Sequence, residues 1–134
     1  MKFQPDRFDA HSITGHGPGW ISVGAEKIHS SIILSSRGLR LPWPCTQFED
    51  LSAEHFKELA QLDAEVLLLG SGSRLRFVPP AWLQPLMARR IGVETMDTAA
   101  ACRTYNILAG EGRHVLAALI LDTLAYQSTK TVSG

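Results

Sequence analysis

The residues with the most chemistry per position lie between Glu94 and Arg113, in the stretch ETMDTAAACRTYNILAGEGR. A short apolar run, Ile91 to Thr95, leads into it, and Asp97 or Thr98 stands where a helix would start. Cys102 then falls within the first turns of that helix, beside Arg103 and one helical turn before Asn106. The positive end of a helix and a neighbouring guanidinium both lower a thiol's pKa. The chemistry on offer is a thiolate nucleophile, with Arg103 clamping an anion and Asn106 orienting the ligand. The same cysteine also fits a small buried thiol, because free Cys packs as a small hydrophobe. A nucleophile needs a base, and the sequence fixes none, since His114 lies beyond a loop at the far end of the helix. Asp97 likewise reads as a site carboxylate at a strand's carboxyl end or as a helix cap. Glu94 is a second candidate carboxylate, or a partner for Arg103 or Arg113.

A second candidate is Gly70-Ser71-Gly72-Ser73, directly after the apolar run Val66 to Leu69. Glycines there would let backbone amides approach an anion, and Arg74 and Arg76 follow. No Gly-Lys-Ser/Thr comes next, so this is not a P-loop. The segment Arg74 to Val78 reads as extended where a dinucleotide-binding helix would open, so a tight turn is the plainer use. If the two strands are neighbours, this turn and the Asp97-Thr98 turn open onto one crevice, with Trp43 and Trp82 as candidate walls. The candidate binding or docking set is therefore Gly70, Ser71, Gly72, Asp97, Thr98, Cys102, Arg103 and Asn106. The histidines show no metal-ligand spacing, and no metal or cofactor is expected.

These residues need elements to hold them. At 100° per residue from Thr98, the residues Ala100, Ala101, Thr104, Ile107 and Leu108 share the arc expected to face a core, with Tyr105 at its edge. Thr98, Cys102, Arg103 and Asn106 fall on the opposite side, which is the expected docking face. Upstream, His11 to Thr14, Trp20 to Val23 and Lys27 to Ser35 read as strands, punctuated by GHGPG and GAE. Leu39 to Pro44 runs extended through two prolines, as at a sheet edge. Ser52 caps a helix to about Asp63, and Val66 to Leu69 is a strand covered on both faces. Pro79 and Pro80 introduce a second helix to about Arg90, which Pro85 kinks or splits. Gly110 and Gly112 end the third helix, and His114 to Leu121 is the last strand. Strands first, then alternating helix and strand, predict a single α/β domain over residues 1–134 with an antiparallel N-terminal part. The ends, about 1–10 and 126–134, read as flexible.

Composition narrows the function. Thirteen Lys and Arg balance thirteen Asp and Glu, which leaves no overall cationic footprint for nucleic acid or anionic lipid. A local basic patch at Arg74, Arg76, Arg89 and Arg90 is the exception to consider. Two cysteines without a C-x-x-C do not make a disulfide framework, which favours a reducing compartment. No apolar run has spanning length and the N-terminus has no signal-peptide core. A cytoplasmic protein without direct membrane insertion is expected.

The segment GVETMDTAAACRTYNILAGEGRHVLAALI resembles the characteristic segment of a family of small α/β domains. That family includes the mitochondrial NADH:ubiquinone oxidoreductase complex assembly factor 3. The matching positions include Gly92, Glu94, Met96, Thr98, Ala101, Thr104, Tyr105, Asn106 and Leu108, then Glu111, Arg113 and Val115. The turn at Gly70 to Gly72, Pro79, and ITGHGPGWISVGAEKIHSSIIL followed by LPWP are also similar to the family. The resemblance implies a three-layer domain with a mixed central sheet. It implies a protein that works through partner proteins, respiratory complex subunits or assembly factors, rather than by catalysis. No catalytic residue carries over with it. The other class of function is a small-molecule enzyme or binder that uses the crevice, with Cys102, Asp97 and Arg103 around an anionic or carbonyl ligand.

Overall fold

A computed structural model describes residues 12–122, so the ends expected to be flexible lie outside the described residues. Two sheets form. The smaller is an antiparallel meander of β1 (Ile13–Gly17), β2 (Trp20–Val23) and β3 (Glu26–Ile28). The larger has β4 (Ile32–Ser35), β5 (Arg40–Pro42), β6 (Val66–Gly70), β7 (Gly92–Met96) and β8 (Val115–Leu119), in the order β5-β4-β8-β6-β7. Here β4 is antiparallel to both β5 and β8, while β6 runs parallel to β7 and β8, so the sheet is mixed.

The uniform apolarity of VLLLG and VLAAL follows from this arrangement, because β6 and β8 lie at the centre and are covered on both faces. Side chains alternate across a strand, and they divide the core in two. Leu67, Leu69, Leu116 and Ala118 face α1 (Ala53–Leu59) and α2 (Gln84–Ala88), packing with Phe56, Leu59 and Leu86. Val66, Leu68, Val115, Ala117 and Leu119 face the other way, toward α3 (Thr98–Gly110) and Ile13, Ile21, Val23 and Ile28 of the small sheet. The result is three layers, with α3 and the small sheet together forming the third.

Several expected elements differ in extent. Lys27 to Ser35 is two strands in different sheets, parted at His29–Ser31, where Ser31 accepts from Trp43 N–H and Leu121 N–H. The parity shared by Ile28 and Ile32 therefore serves two strands rather than one. The helix after Ser52 stops at Leu59, and a turn follows. The expected second helix is a 3-10 turn, Pro80–Leu83, followed by the short α2. Pro85 sits in the first turn of α2, where its missing N–H costs no bond.

Candidate functional site

The turn after β6 and the start of α3 do meet. Parallel pairing of β6 with β7 puts both strand ends at one edge, with Gly70 opposite Met96. Thr98 joins them. Its N–H donates to the Gly72 carbonyl at 2.9 Å, and its Oγ1 accepts from Gly72 N–H at 2.9 Å. The same hydroxyl donates to the Ile120 carbonyl at 2.7 Å, tying in the end of β8. Gly70 is needed for this approach, since a Cβ there would stand 2.9 Å from Thr98 Oγ1 and 3.2 Å from its Cα. Gly72 has φ +104°, a left-handed conformation that favours glycine.

The turn's amides are used within the fold. Ser71 N–H donates to the Met96 carbonyl at 2.9 Å, and Gly72 N–H goes to Thr98. The fully buried Ser71 hydroxyl donates to the Arg74 carbonyl and accepts from Arg76 N–H. Asp97 is a true N-cap, its Oδ1 accepting from Ala100 N–H at 2.9 Å. The glycines and the aspartate thus have structural uses that need no anion.

The orientation of α3 is the main correction. Thr98, Ala101, Cys102 and Tyr105 are its buried residues, at the i, i+3, i+4, i+7 spacing of a core stripe. Ile107, placed on the core arc by the helical wheel, is 60% exposed. Cys102 is 1% exposed, so it faces the core and not the docking side. Burial pushes its thiol up to about 12, against the lowering effect of Arg103 and with a smaller raising effect from Asp97. A thiol held protonated in this way is not a nucleophile near neutral pH.

Arg103 is exposed, one turn from Ile107. Asn106 clasps the small sheet: its Oδ1 accepts from Ile13 N–H at 3.0 Å and its Nδ2 donates to the Ile13 carbonyl at 2.6 Å. Glu94 is exposed, and Arg113 pairs with Glu65 rather than with it. Trp43 and Trp82 belong to the opposite core, beneath α1, and do not line the crevice.

The crevice itself is a cleft of about 620 Å³. Gly72 and Ser73 form one wall, and Asp97, Thr98 and Ala99 a second. The third wall is the segment His16 to Ile21, spanning the β1–β2 turn and distant in sequence from the other two, with Ile120 to Asp122 completing the lining. Ser71, Cys102, Arg103 and Asn106 are not among the lining residues.

On the other face of the sheet, a cysteine and a histidine not paired by any sequence motif meet. Cys45 Sγ lies 3.4 Å from His55 Nε2, and Trp43 meets the same imidazole edge-on. The available signal was the capping position of His55, three residues after Ser52. Ser52 N–H donates to His55 Nδ1 at 3.0 Å, so that nitrogen carries no proton. In the neutral ring Nε2 is then the protonated nitrogen, and it points at the sulfur. It cannot take the thiol proton in that tautomer. Burial, with Asp50 and Glu58 nearby, raises the Cys45 thiol to about 11. Among the described residues no group of three His, Cys, Asp or Glu side chains is placed to hold a metal. No helix among them is long and apolar enough to cross a membrane.

Comparison with known proteins agrees with this architecture. A family profile described as "Protein of unknown function (DUF498/DUF598)" matches residues 13–120. An uncharacterised protein of Rhodobacter capsulatus is 36% identical over 117 residues, 87% of this chain and 90% of that one. The NADH dehydrogenase [ubiquinone] 1 alpha subcomplex assembly factor 3 of Bos taurus is 36% identical over 80 residues, 58% of this chain. The match spans 44% of that assembly factor's length. The crystal structure of a Bordetella parapertussis protein superposes with a TM-score of 0.77 at 40% identity, covering 83% of this chain and 95% of that one.

Proposed function

This chain belongs to the DUF498/DUF598 family, and on that basis we propose that it is a non-catalytic, cytoplasmic interaction protein that assists assembly of a respiratory complex. Similarity to the bovine assembly factor supports the reading. The observation that carries it is the outward stripe of α3. Arg103 is exposed there, and Ile107, a large aliphatic side chain, is 60% exposed one turn further on. A cation beside an uncovered aliphatic group is the composition of a docking patch: apolar contact supplies affinity, and the charge supplies register and partner choice. The burial of Cys102, which pushes its thiol up to about 12, weighs against the competing enzymatic reading.

The test is affinity capture of complex I subunits and their assembly factors from detergent-solubilised membranes of the source cell. Baits are the wild-type chain and an Arg103→Glu/Ile107→Asp variant. Both positions are exposed, so the variant should keep its fold, which a thermal melt checks. The expected result is that the wild type retains those subunits and the variant loses at least about nine-tenths of them, the scale of a hot-spot loss. Equal retention by both baits overturns this surface. Absence of such subunits from the wild-type bait overturns the assembly role itself.

A further inference from the structure

We infer that the cleft between the β1–β2 turn, the turn after β6 and the start of α3 is a binding site for a small organic cation, an ammonium group on an apolar body. This does not rest on the assembly reading, since Arg103 and Ile107 lie outside the cleft. The size fits: about 620 Å³ is within the range of small-ligand pockets. Its interior is mostly apolar, with Pro18, Ile21, Ile120 and Leu121 among its lining residues.

The sign of the ligand's charge follows from what the cleft offers. Asp97, Asp122 and His16 are its titratable lining residues, and among the described residues no lysine or arginine lines it. Most of the backbone donors that would draw an anion are already used. Ser71 and Gly72 N–H groups bond within the fold, Thr98 N–H bonds Gly72, and Ala100 N–H bonds Asp97. The Asp97 cap uses Oδ1 and offsets the positive end of α3. An anion entering the cleft would therefore be carried toward carboxylates, with the Ser71, Gly72, Thr98 and Ala100 N–H groups already bonded. An ammonium meets a carboxylate across a low-dielectric, apolar floor, where attraction is strengthened. The anionic or carbonyl ligand expected from Cys102 and Arg103 is replaced by the opposite sign, because neither residue lines the cleft.

The experiment is a two-dimensional amide NMR titration of the full chain with alkylammonium and phenylalkylammonium ions, hexylammonium to dodecylammonium and phenethylammonium among them. The matched alcohols and carboxylates are titrated in parallel. The expected result is saturable shifts at Gly17, Gly72, Thr98 and Leu121 with the cations. Affinity should be at least about tenfold lower for the isosteric alcohol, the loss of one charge-assisted contact. In Asp97→Asn/Asp122→Asn that preference should vanish while alcohol binding is kept, because asparagine caps a helix about as well as aspartate does. Equal binding of cation and alcohol to the wild type overturns the proposal, as does tighter binding of the carboxylate. No saturable shift at the cleft with any cation of the series also overturns it. An apolar peptide bearing one lysine that binds at least about tenfold tighter than every small cation transfers the cleft to a protein partner and overturns the small-molecule assignment.

Discussion

Thr98 carries more of the site than any other side chain. It is 7% exposed, and its hydroxyl both accepts from Gly72 N–H and donates to the Ile120 carbonyl, joining the ends of three central elements. A threonine was legible there only as a possible helix start, because the sequence does not say what its hydroxyl meets. Replacement by valine keeps the shape and removes both bonds, leaving a buried N–H and a buried carbonyl without that partner. Such orphaned groups cost about 1–3 kcal/mol each. Thr98→Val should therefore lose roughly 2–4 kcal/mol in urea unfolding. Thr98→Ser keeps both bonds and gives up one methyl, about 1 kcal/mol. If the two variants lose equally, the hydroxyl does not hold the site together. Because Thr98 also lines the cleft, the valine variant should broaden the amide resonances of Gly72 and of the β8 end before global unfolding.

At the scale of elements, Asn106 decides how the small sheet lies on α3. Its amide reads the Ile13 backbone as a neighbouring strand would, one bond in each direction. Asn106→Ala should release the start of β1, with hydrogen exchange at Ile13 faster by at least about tenfold, for a loss on the order of 1–3 kcal/mol. Exchange unchanged at Ile13 would mean that apolar packing of Ile13, Ile21 and Val23 alone sets this docking. The clasp shows what could and could not be read in advance. The strands β6 and β8 were legible because central strands must be apolar on both faces. The existence of α3 and its Asp97 cap were legible from cap chemistry. Its rotation was not, because the core stripe is built partly from a threonine and a cysteine, while an isoleucine is left outside. Lys27 to Ser35 read as one strand because nothing local marks a change of sheet. The crevice was half legible: adjacent parallel strands bring their carboxyl ends together, but the β1–β2 wall depends on long-range packing of the small sheet. The role of Asn106 as a clasp depends on the same packing.

The described residues form two cores, one on each face of the central sheet, and each contains one buried thiol. Cys102 lies on the buried face of α3, and Cys45 packs in the core beneath α1. Both are held protonated well above the ordinary thiol value of 9.0, to about 12 and about 11. The sign of the resulting pH dependence is fixed by which state keeps its protons. Above pH 9.0 the unfolded chain loses thiol protons that the folded chain retains, so stability falls as pH rises. Below that value both states are protonated and the thiols contribute no slope. Each thiol adds a slope of up to about 1.4 kcal/mol per pH unit, which for Cys45 ends near pH 11 and for Cys102 near pH 12. Cys45→Ala and Cys102→Ala each create a cavity, but that cost does not change with pH. The quantity to measure is therefore the slope of unfolding free energy between about pH 9 and 10.5, wild type against each variant. Each substitution should reduce the steepness by about the slope of one thiol, and the double variant by the sum, because the two sites lie on opposite faces of the sheet and share no partner. Other groups that titrate in this range cancel in the differences. If Cys102→Ala leaves the slope unchanged, its thiol titrates in the fold as it does in the unfolded chain, and the burial that argues against a nucleophile is wrong.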